Sequence, residues 1–234
     1  YTVIAMQIVI AVIVVLVVLQ VRAVLLVLVV LVVLIVIVII VVLVVPPNCN
    51  PVFEMSESFY ESVFGVRGKI ALVTGGTRGI GLLISEGLVK AGAKVYVASR
   101  KEDACRETET TLSEFGDCIA IPADLSTIEG CEKLAVELEG REEELNILVN
   151  NAGVTWSEDL GQFHEKAWDK VVDVDMKAPF FLTQALLPLL RSGASAENRG
   201  SIVNVTSVNG LRPTTLHNYS YVAAKAGLGH LSSC

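Results

Sequence analysis

The apolar positions of this 234-residue chain fall into two regimes. Between residues 3 and 45 nearly every side chain is Val, Leu or Ile, and the clearly polar interruptions are Gln7, Gln20 and Arg22. A membrane-spanning helix needs about 20 such residues, so 23–45 is long enough for one crossing and 3–19 is marginal for a second. Pro46, Pro47, Asn48, Asn50 and Pro51 then break any helix, and no hydrophobic period follows until Lys69. The pattern therefore predicts an apolar segment at 1–45, a linker at 46–67 and a folded domain at 68–234.

Within the domain, short apolar runs alternate with amphipathic stretches. The runs at 69–73, 94–98, 118–122, 145–150 and 201–205 read as strands. Between them Ile80, Leu83, Ile84 and Leu88 recur at helical spacing, as do Ala104, Thr108, Leu112 and Phe115, then Ile128, Cys131, Leu134, Ala135 and Leu138. Each stripe is expected to pack on the sheet. Strands that alternate with helices in this way predict an α/β fold, a doubly wound parallel sheet of the Rossmann type.

Composition sharpens the division between the two regimes. The chain is 53% hydrophobic with a net charge of −7, and every acidic residue lies beyond Pro51. An acidic domain argues against a nucleic-acid partner. The five cysteines, Cys49, Cys105, Cys118, Cys131 and Cys234, show no metal-type spacing, so neither a metal site nor a disulfide framework is expected, and a reducing compartment fits best. The apolar segment lacks the basic start and small-residue cleavage site of a secretory signal. It also lacks an aromatic belt and has only Arg22 to orient it. It reads equally as a membrane anchor or as low-complexity sequence from a misassigned reading frame. The domain is accordingly expected on a membrane, facing a reducing compartment, or else in the cytoplasm. If translated but not inserted, the uncharged β-branched run predicts aggregation.

The chemistry begins at Thr74-Gly-Gly-Thr-Arg-Gly-Ile-Gly81, which follows the first strand and opens a helix. Glycines there let the backbone approach a pyrophosphate, and the helix N-terminus offers free N–H groups. Three residues separate Gly75 from Gly79, unlike the commoner dinucleotide fingerprint. Asn150-Asn-Ala-Gly153 follows the fourth strand, and Tyr221-x-x-x-Lys225 follows a strand that ends near Ser207. In this order and spacing, from about Gly68 to Leu231, the chain resembles the short-chain dehydrogenase/reductases. Its wording at Trp168-Asp-Lys-Val-Val, Pro179 to Pro188 and Asn218-Tyr-Ser-Tyr221 is most similar to 3-oxoacyl-[acyl-carrier-protein] reductases of the rhamnolipid type.

At the end of the second strand an acid would hold the ribose of NAD and a base the 2′-phosphate of NADP. Ser99 occupies the acidic position, Arg100 follows it, and Arg78 lies in the glycine turn, so NADP(H) is the expected cofactor. The resemblance implies that Gly75, Thr77, Arg78, Gly79, Ile80 and Gly81 cradle the cofactor, with Ser99 and Arg100 at its phosphate. It places Asp124 and Leu125 near the adenine, and Asn151, Ala152 and Gly153 beneath. For Asn151 a structural role is as well supported as direct contact. Hydride transfer to a carbonyl calls for a proton donor and hydrogen-bond donors at its oxygen. Tyr221 fits the donor, with Lys225 one helical turn away to favour the phenolate. The resemblance also sets both Tyr221 and Lys225 against the cofactor, Lys225 at the nicotinamide ribose, and gives Ser207 the substrate carbonyl, with Thr206 its alternative.

A fourth family position departs from pattern, since Asp175 stands where the family has Asn. There the backbone carbonyl matters, because it holds a water that leads to the lysine. Pro179, four residues on, has no N–H for that carbonyl, so the relay is expected to survive. The extra carboxylate should favour charged Lys225, and Asp175→Asn in a length-restored protein is expected to raise turnover. The resemblance further implies two strands, a substrate loop and a nicotinamide-contacting segment beyond Cys234. Without them the fifth strand and part of a helix face would be exposed, and the family's homo-oligomer, built on the helix at 219–231, would be in doubt. Three readings stay open at this point: an NADP(H)-dependent reductase of a 3-oxoacyl or similar small-molecule carbonyl substrate, a non-catalytic membrane-associated nucleotide-binding protein, and an inactive fragment.

Overall fold

A computed structural model describes residues 65–195, 199–212 and 215–233. The two apolar stretches at 3–19 and 23–45, and nearly all of the linker, lie outside these residues. Among the described residues no helix is long and apolar enough to cross a membrane.

Five parallel strands lie in the order β3-β2-β1-β4-β5. They are β1 (Ile70–Thr74), β2 (Lys94–Ser99), β3 (Cys118–Pro122), β4 (Ile147–Asn150) and β5 (Ser201–Asn204). The apolar runs announced them because a parallel strand covered on both faces needs no polar alternation. Ala71 and Val73 of β1 join Val95, Val97 and Val149 under one layer of helices. Leu72, Tyr96 and Leu148 point the other way, into a second cluster. The strand order reverses between β1 and β4, which opens a crevice at their carboxyl ends.

The first layer is α1 (Gly79–Lys90) and α2 (Glu102–Leu112). The second comprises α3 (Ile128–Glu139), α4 (Glu165–Val172), α5 (Ala178–Ala185) and α6 (Leu187–Ser192). A π-helical turn at Asp173–Lys177 joins α4 to α5, a short 3₁₀ turn spans Val208–Gly210, and α7 (Tyr219–Leu231) closes the described chain. Leu134, Leu138, Leu182 and Leu186 are buried between α3, α5 and the sheet. Each contributes roughly 2 kcal/mol by leaving water.

The expected helical stripes need correction at four positions. In α1 the buried residues are Gly81, Ser85 and Val89, whereas Ile80 and Leu83 are 63% and 68% exposed. Small residues occupy the inner face because the helix meets the glycine turn closely. A Cβ on Gly76 would stand 2.7 Å from Ser85 Oγ, so a larger inward side chain would force the two apart. Phe115 lies beyond the end of α2, half exposed with the Lys90 ammonium 4.5 Å from its ring. Ile128, at the first turn of α3, is also partly exposed.

Cys105, Cys118 and Cys131 are free and buried. Burial pushes the Cys118 and Cys131 thiols up to about 11. Among the described residues no cluster of His, Cys, Asp and Glu could hold a metal ion. At the sheet edge opposite β3, β5 pairs among the described residues with β4 alone, and Ile202 and Val203 are about half exposed.

Opposite the crevice, the Tyr96 hydroxyl and the Lys94 ammonium both engage Glu142. Burial works against the Glu142 charge, but these two partners outweigh it and hold the carboxyl below its usual range. The Glu142 hydrogen bond in turn raises Lys94. The folded state thus binds the Glu142 proton less tightly than the unfolded chain does. Its stabilisation is complete above the ordinary carboxylate range and drains away as pH falls through the depressed folded value. Glu142→Gln is expected to lower the melting temperature by roughly 5 °C at neutral pH, with the difference closing in acid. Equal melting curves at neutral pH would show that the pair contributes nothing.

Candidate active site

The crevice is a cleft of about 380 Å³ at the carboxyl ends of β1 to β4. One hydroxyl organises its floor. Thr74 Oγ1 donates to the Val149 carbonyl (3.2 Å) and accepts from the N–H groups of Asn151 and Ala152, both at 3.0 Å. The end of β1 is therefore fixed to the end of β4 at the point where the strand order turns back.

The glycine turn completes this floor. Gly75 (φ 65°) donates to the Ala98 carbonyl at 2.7 Å, and a Cβ there would stand 2.9 Å from Ala152 Cα. Gly79 (φ 55°) lies in the left-handed region that favours glycine. A Cβ on Gly81 would collide with the Gly75 carbonyl and the Asn151 amide. That amide donates to the Thr74 and Gly75 carbonyls at 2.9 and 3.2 Å, so Asn151 ties the turn to β4 even as it lines the cleft.

The sequence-expected nucleotide residues gather here. Gly75, Thr77, Arg78, Gly79, Ile80 and Gly81 line one wall, Ser99 and Arg100 the next. Asp124, Leu125, Asn151, Ala152 and Gly153 line the remainder. Thr77 Oγ1 donates to Ser99 Oγ at 3.0 Å, which joins the glycine turn to the end of β2. Asp124 accepts from the Ser126 N–H (3.1 Å) and hydroxyl (2.8 Å). These bonds, the backbone one foremost and aided by the nearby Arg100 charge, hold its carboxyl below the usual range. Free N–H groups at the start of α1, two guanidinium groups and a glycine floor make a receptor for phosphate esters.

Ser207, Tyr221 and Lys225 are not part of that lining; they stand beside it on β5's exit and α7. Ser207 Oγ accepts from the Asn209 N–H at 3.2 Å, which leaves its own proton free to donate. Tyr221 is half-buried, and the Lys225 ammonium lies 5.8 Å from the centre of its ring. Lys225 itself is buried, donating to the Val205 carbonyl at 2.9 Å.

Asp175 is fully buried on the π-helical turn. The turn follows from Pro179, which has no N–H to give the Asp175 carbonyl four residues back; just before it, the Ala178 N–H reaches five residues back to Asp173. The Asp175 side chain accepts the Val154 N–H at 2.7 Å through Oδ1, and Oδ2 lies 3.4 Å from Lys225 Nζ. Burial raises its carboxyl above the ordinary range, while the Val154 N–H and Lys225 pull the other way.

Sequence reasoning missed several participants. Val154, Val174 and Ser126 also line the cleft, and the partners of Asp175 and Lys225 are backbone groups of Val154 and Val205. Backbone partners leave no mark in a sequence. Ser126 did leave one, because Asp-x-Ser after a strand is the spacing of an Asx turn.

Comparison with known proteins places these features. Residues 69–234 match the family model described as short chain dehydrogenase. Over 169 residues the chain is 46% identical to the rhamnolipids biosynthesis 3-oxoacyl-[acyl-carrier-protein] reductase of Pseudomonas aeruginosa, covering 72% of this chain and 66% of that protein. It is 33% identical over 166 residues to the 3-oxoacyl-[acyl-carrier-protein] reductase FabG of Vibrio cholerae, covering 70% and 64%. Among solved structures, the Pseudomonas aeruginosa RhlG/NADP active-site complex superposes with a TM-score of 0.70 at 46% identity, covering 72% of this chain and 66% of that one. A metagenomic short-chain oxidoreductase in complex with NADP gives 0.66 at 32% identity, covering 72% and 75%. The chain thus spans just under two thirds of the length of these curated relatives.

Proposed function

The chain belongs to the short chain dehydrogenase family, and on that footing we propose that its domain binds NADP(H) and reduces a 3-oxoacyl or similar carbonyl to an alcohol. The observation that carries this reading is the charge at the end of β2. Ser99 stands where a carboxylate would hold the ribose of NAD, and Arg78 and Arg100 line the same cleft. The two related structures in complex with NADP support the same cofactor.

The fit is also steric. A backbone without side chains at Gly75, Gly79 and Gly81 leaves the cleft open above the start of α1, where a pyrophosphate can reach unpaired N–H groups. When bound, the cofactor supplies a hydride. This chain's own residues then handle the charge that arrives on the carbonyl oxygen. Tyr221 gives that oxygen its proton, and the Ser207 hydroxyl, its oxygen already satisfied by Asn209, donates a hydrogen bond to the same atom. Lys225 favours the phenolate that remains, since its ammonium lies against the Tyr221 ring. The Asp175 carbonyl, denied a ladder donor by Pro179, would hold a water from which, by way of Lys225, the Tyr221 phenolate regains its proton.

Titration of the full 234-residue chain with NADPH and with NADH, followed by cofactor fluorescence, tests this reading. NADPH is expected to bind at least about tenfold more tightly, given two charge-assisted contacts to one phosphate. A 3-oxoacyl thioester should then consume the bound NADPH. Equal affinity for both nucleotides, or no binding of either, overturns the assignment.

A further inference from the structure

Asp175 and Lys225 form an ion pair in which both side chains are almost fully buried, at 0% and 5% exposure. Neither is held by the other alone. Asp175 Oδ1 is fixed by the Val154 N–H, and Lys225 by the Val205 carbonyl. Asp175 Oδ2 has no hydrogen-bond partner and faces the ammonium at 3.4 Å. A proton on that oxygen would leave Lys225 as an uncompensated buried charge, so the ion pair is the form in which both groups are satisfied.

The pair lies directly beneath the cleft. A Cβ on Gly153 would stand 3.1 Å from Asp175 Oδ2 and 3.5 Å from Lys225 Nζ, and Gly153 lines the cleft with Val154 and Val174. Gly153 puts no side chain between the charges and that end of the cleft. The opposite end carries Arg78, Ser99 and Arg100. On the reading proposed above, which this inference rests on, the arginines would hold the 2′-phosphate and the Gly153 end would receive the nicotinamide ring.

The nicotinamide ring is cationic when oxidised and neutral when reduced. Tyr221 contributes its ring face to Lys225, and Asp173 and Lys177 on the same turn compensate each other at the surface, 3.2 Å apart. We infer that the Asp175 carboxylate sets the cofactor redox preference of this site: by cancelling Lys225 beneath the ring, it lets the cleft retain NADP⁺ as readily as NADPH. A carboxamide at the same position would keep the Val154 bond but leave the floor with one net positive charge. Such a floor repels the oxidised ring and is indifferent to the reduced one. Asp175 is thus a positioning residue that acts through Lys225.

The test is the ratio of dissociation constants for NADP⁺ and NADPH, measured by calorimetry on the full chain and on Asp175→Asn. One unit of charge in a partly screened site should raise that ratio by roughly tenfold in the variant. Asp175→Ala, which also gives up the Val154 bond, should show the same shift if charge is the cause, and keeps the question answerable should either variant fold poorly. An unchanged ratio with both nucleotides still bound overturns the inference and leaves the cofactor assignment standing. Failure of the unmodified chain to bind either nucleotide overturns the assignment, and the inference with it.

Discussion

Replacing Tyr221 by Phe is expected to lower the rate of carbonyl reduction by roughly a thousandfold, with NADPH affinity nearly unchanged. The asymmetry comes from what the substitution keeps. The aromatic ring stays in the first turn of α7, so its contact with the Lys225 ammonium persists, as does the packing of a half-buried side chain. Lys225 remains anchored on the Val205 carbonyl and Asp175, neither of which involves the phenol. Only the hydroxyl proposed as proton donor is lost. The loss should therefore appear in kcat and leave KM almost alone. A Phe variant that retains activity within tenfold of the parent would exclude Tyr221 as the acid.

The second large effect is expected at Ser99, where substitution by Asp should reverse the nucleotide preference. A carboxylate at the end of β2 would repel the 2′-phosphate that Arg78 and Arg100 otherwise attract, and would accept both hydroxyls of an unphosphorylated ribose. Local structure can accommodate it, because the Thr77 hydroxyl that now donates to Ser99 Oγ can equally donate to a carboxylate. The ratio of NADPH to NADH affinity should fall by roughly a hundredfold, each lost or inverted charge-assisted contact being worth about 1.5–3 kcal/mol. Affinities for both nucleotides, measured on one preparation, decide it. If Ser99→Asp still prefers NADPH as strongly as before, the phosphate is held elsewhere.

Much of this architecture was legible in the chain. The strands were readable because parallel strands buried on both faces are written as apolar runs, and 118–122 appears in the structure with the same limits. The nucleotide cleft was readable because glycine is demanded wherever backbone meets backbone, as at Gly75 against Ala152. Periodicity misled where small residues carry the packing. In α1 Ile80 and Leu83 of the stripe point outward, Ile84 and Leu88 are only partly buried, and the buried positions include Gly81 and Ser85, which hydrophobicity does not weigh. Asp175 was singled out through its backbone carbonyl and as an extra carboxylate near Lys225, and the side chains do pair. Its other partner, the Val154 N–H at β4's exit, is a backbone group that no spacing in the sequence encodes.

The π-helical turn at Asp173–Lys177 has a consequence for how this site can change over time. Such a turn holds one residue more than an α-helix would, and Pro179 sits just after it at the start of α5. Deleting one residue would straighten the ladder but place the proline inside it. Replacing the proline alone would leave the surplus residue in place. Neither single step returns an ordinary helix, so the bulge acts as a ratchet. The backbone at position 175 is thus set by the bulge and the proline that follows it, and not by the carboxylate it carries.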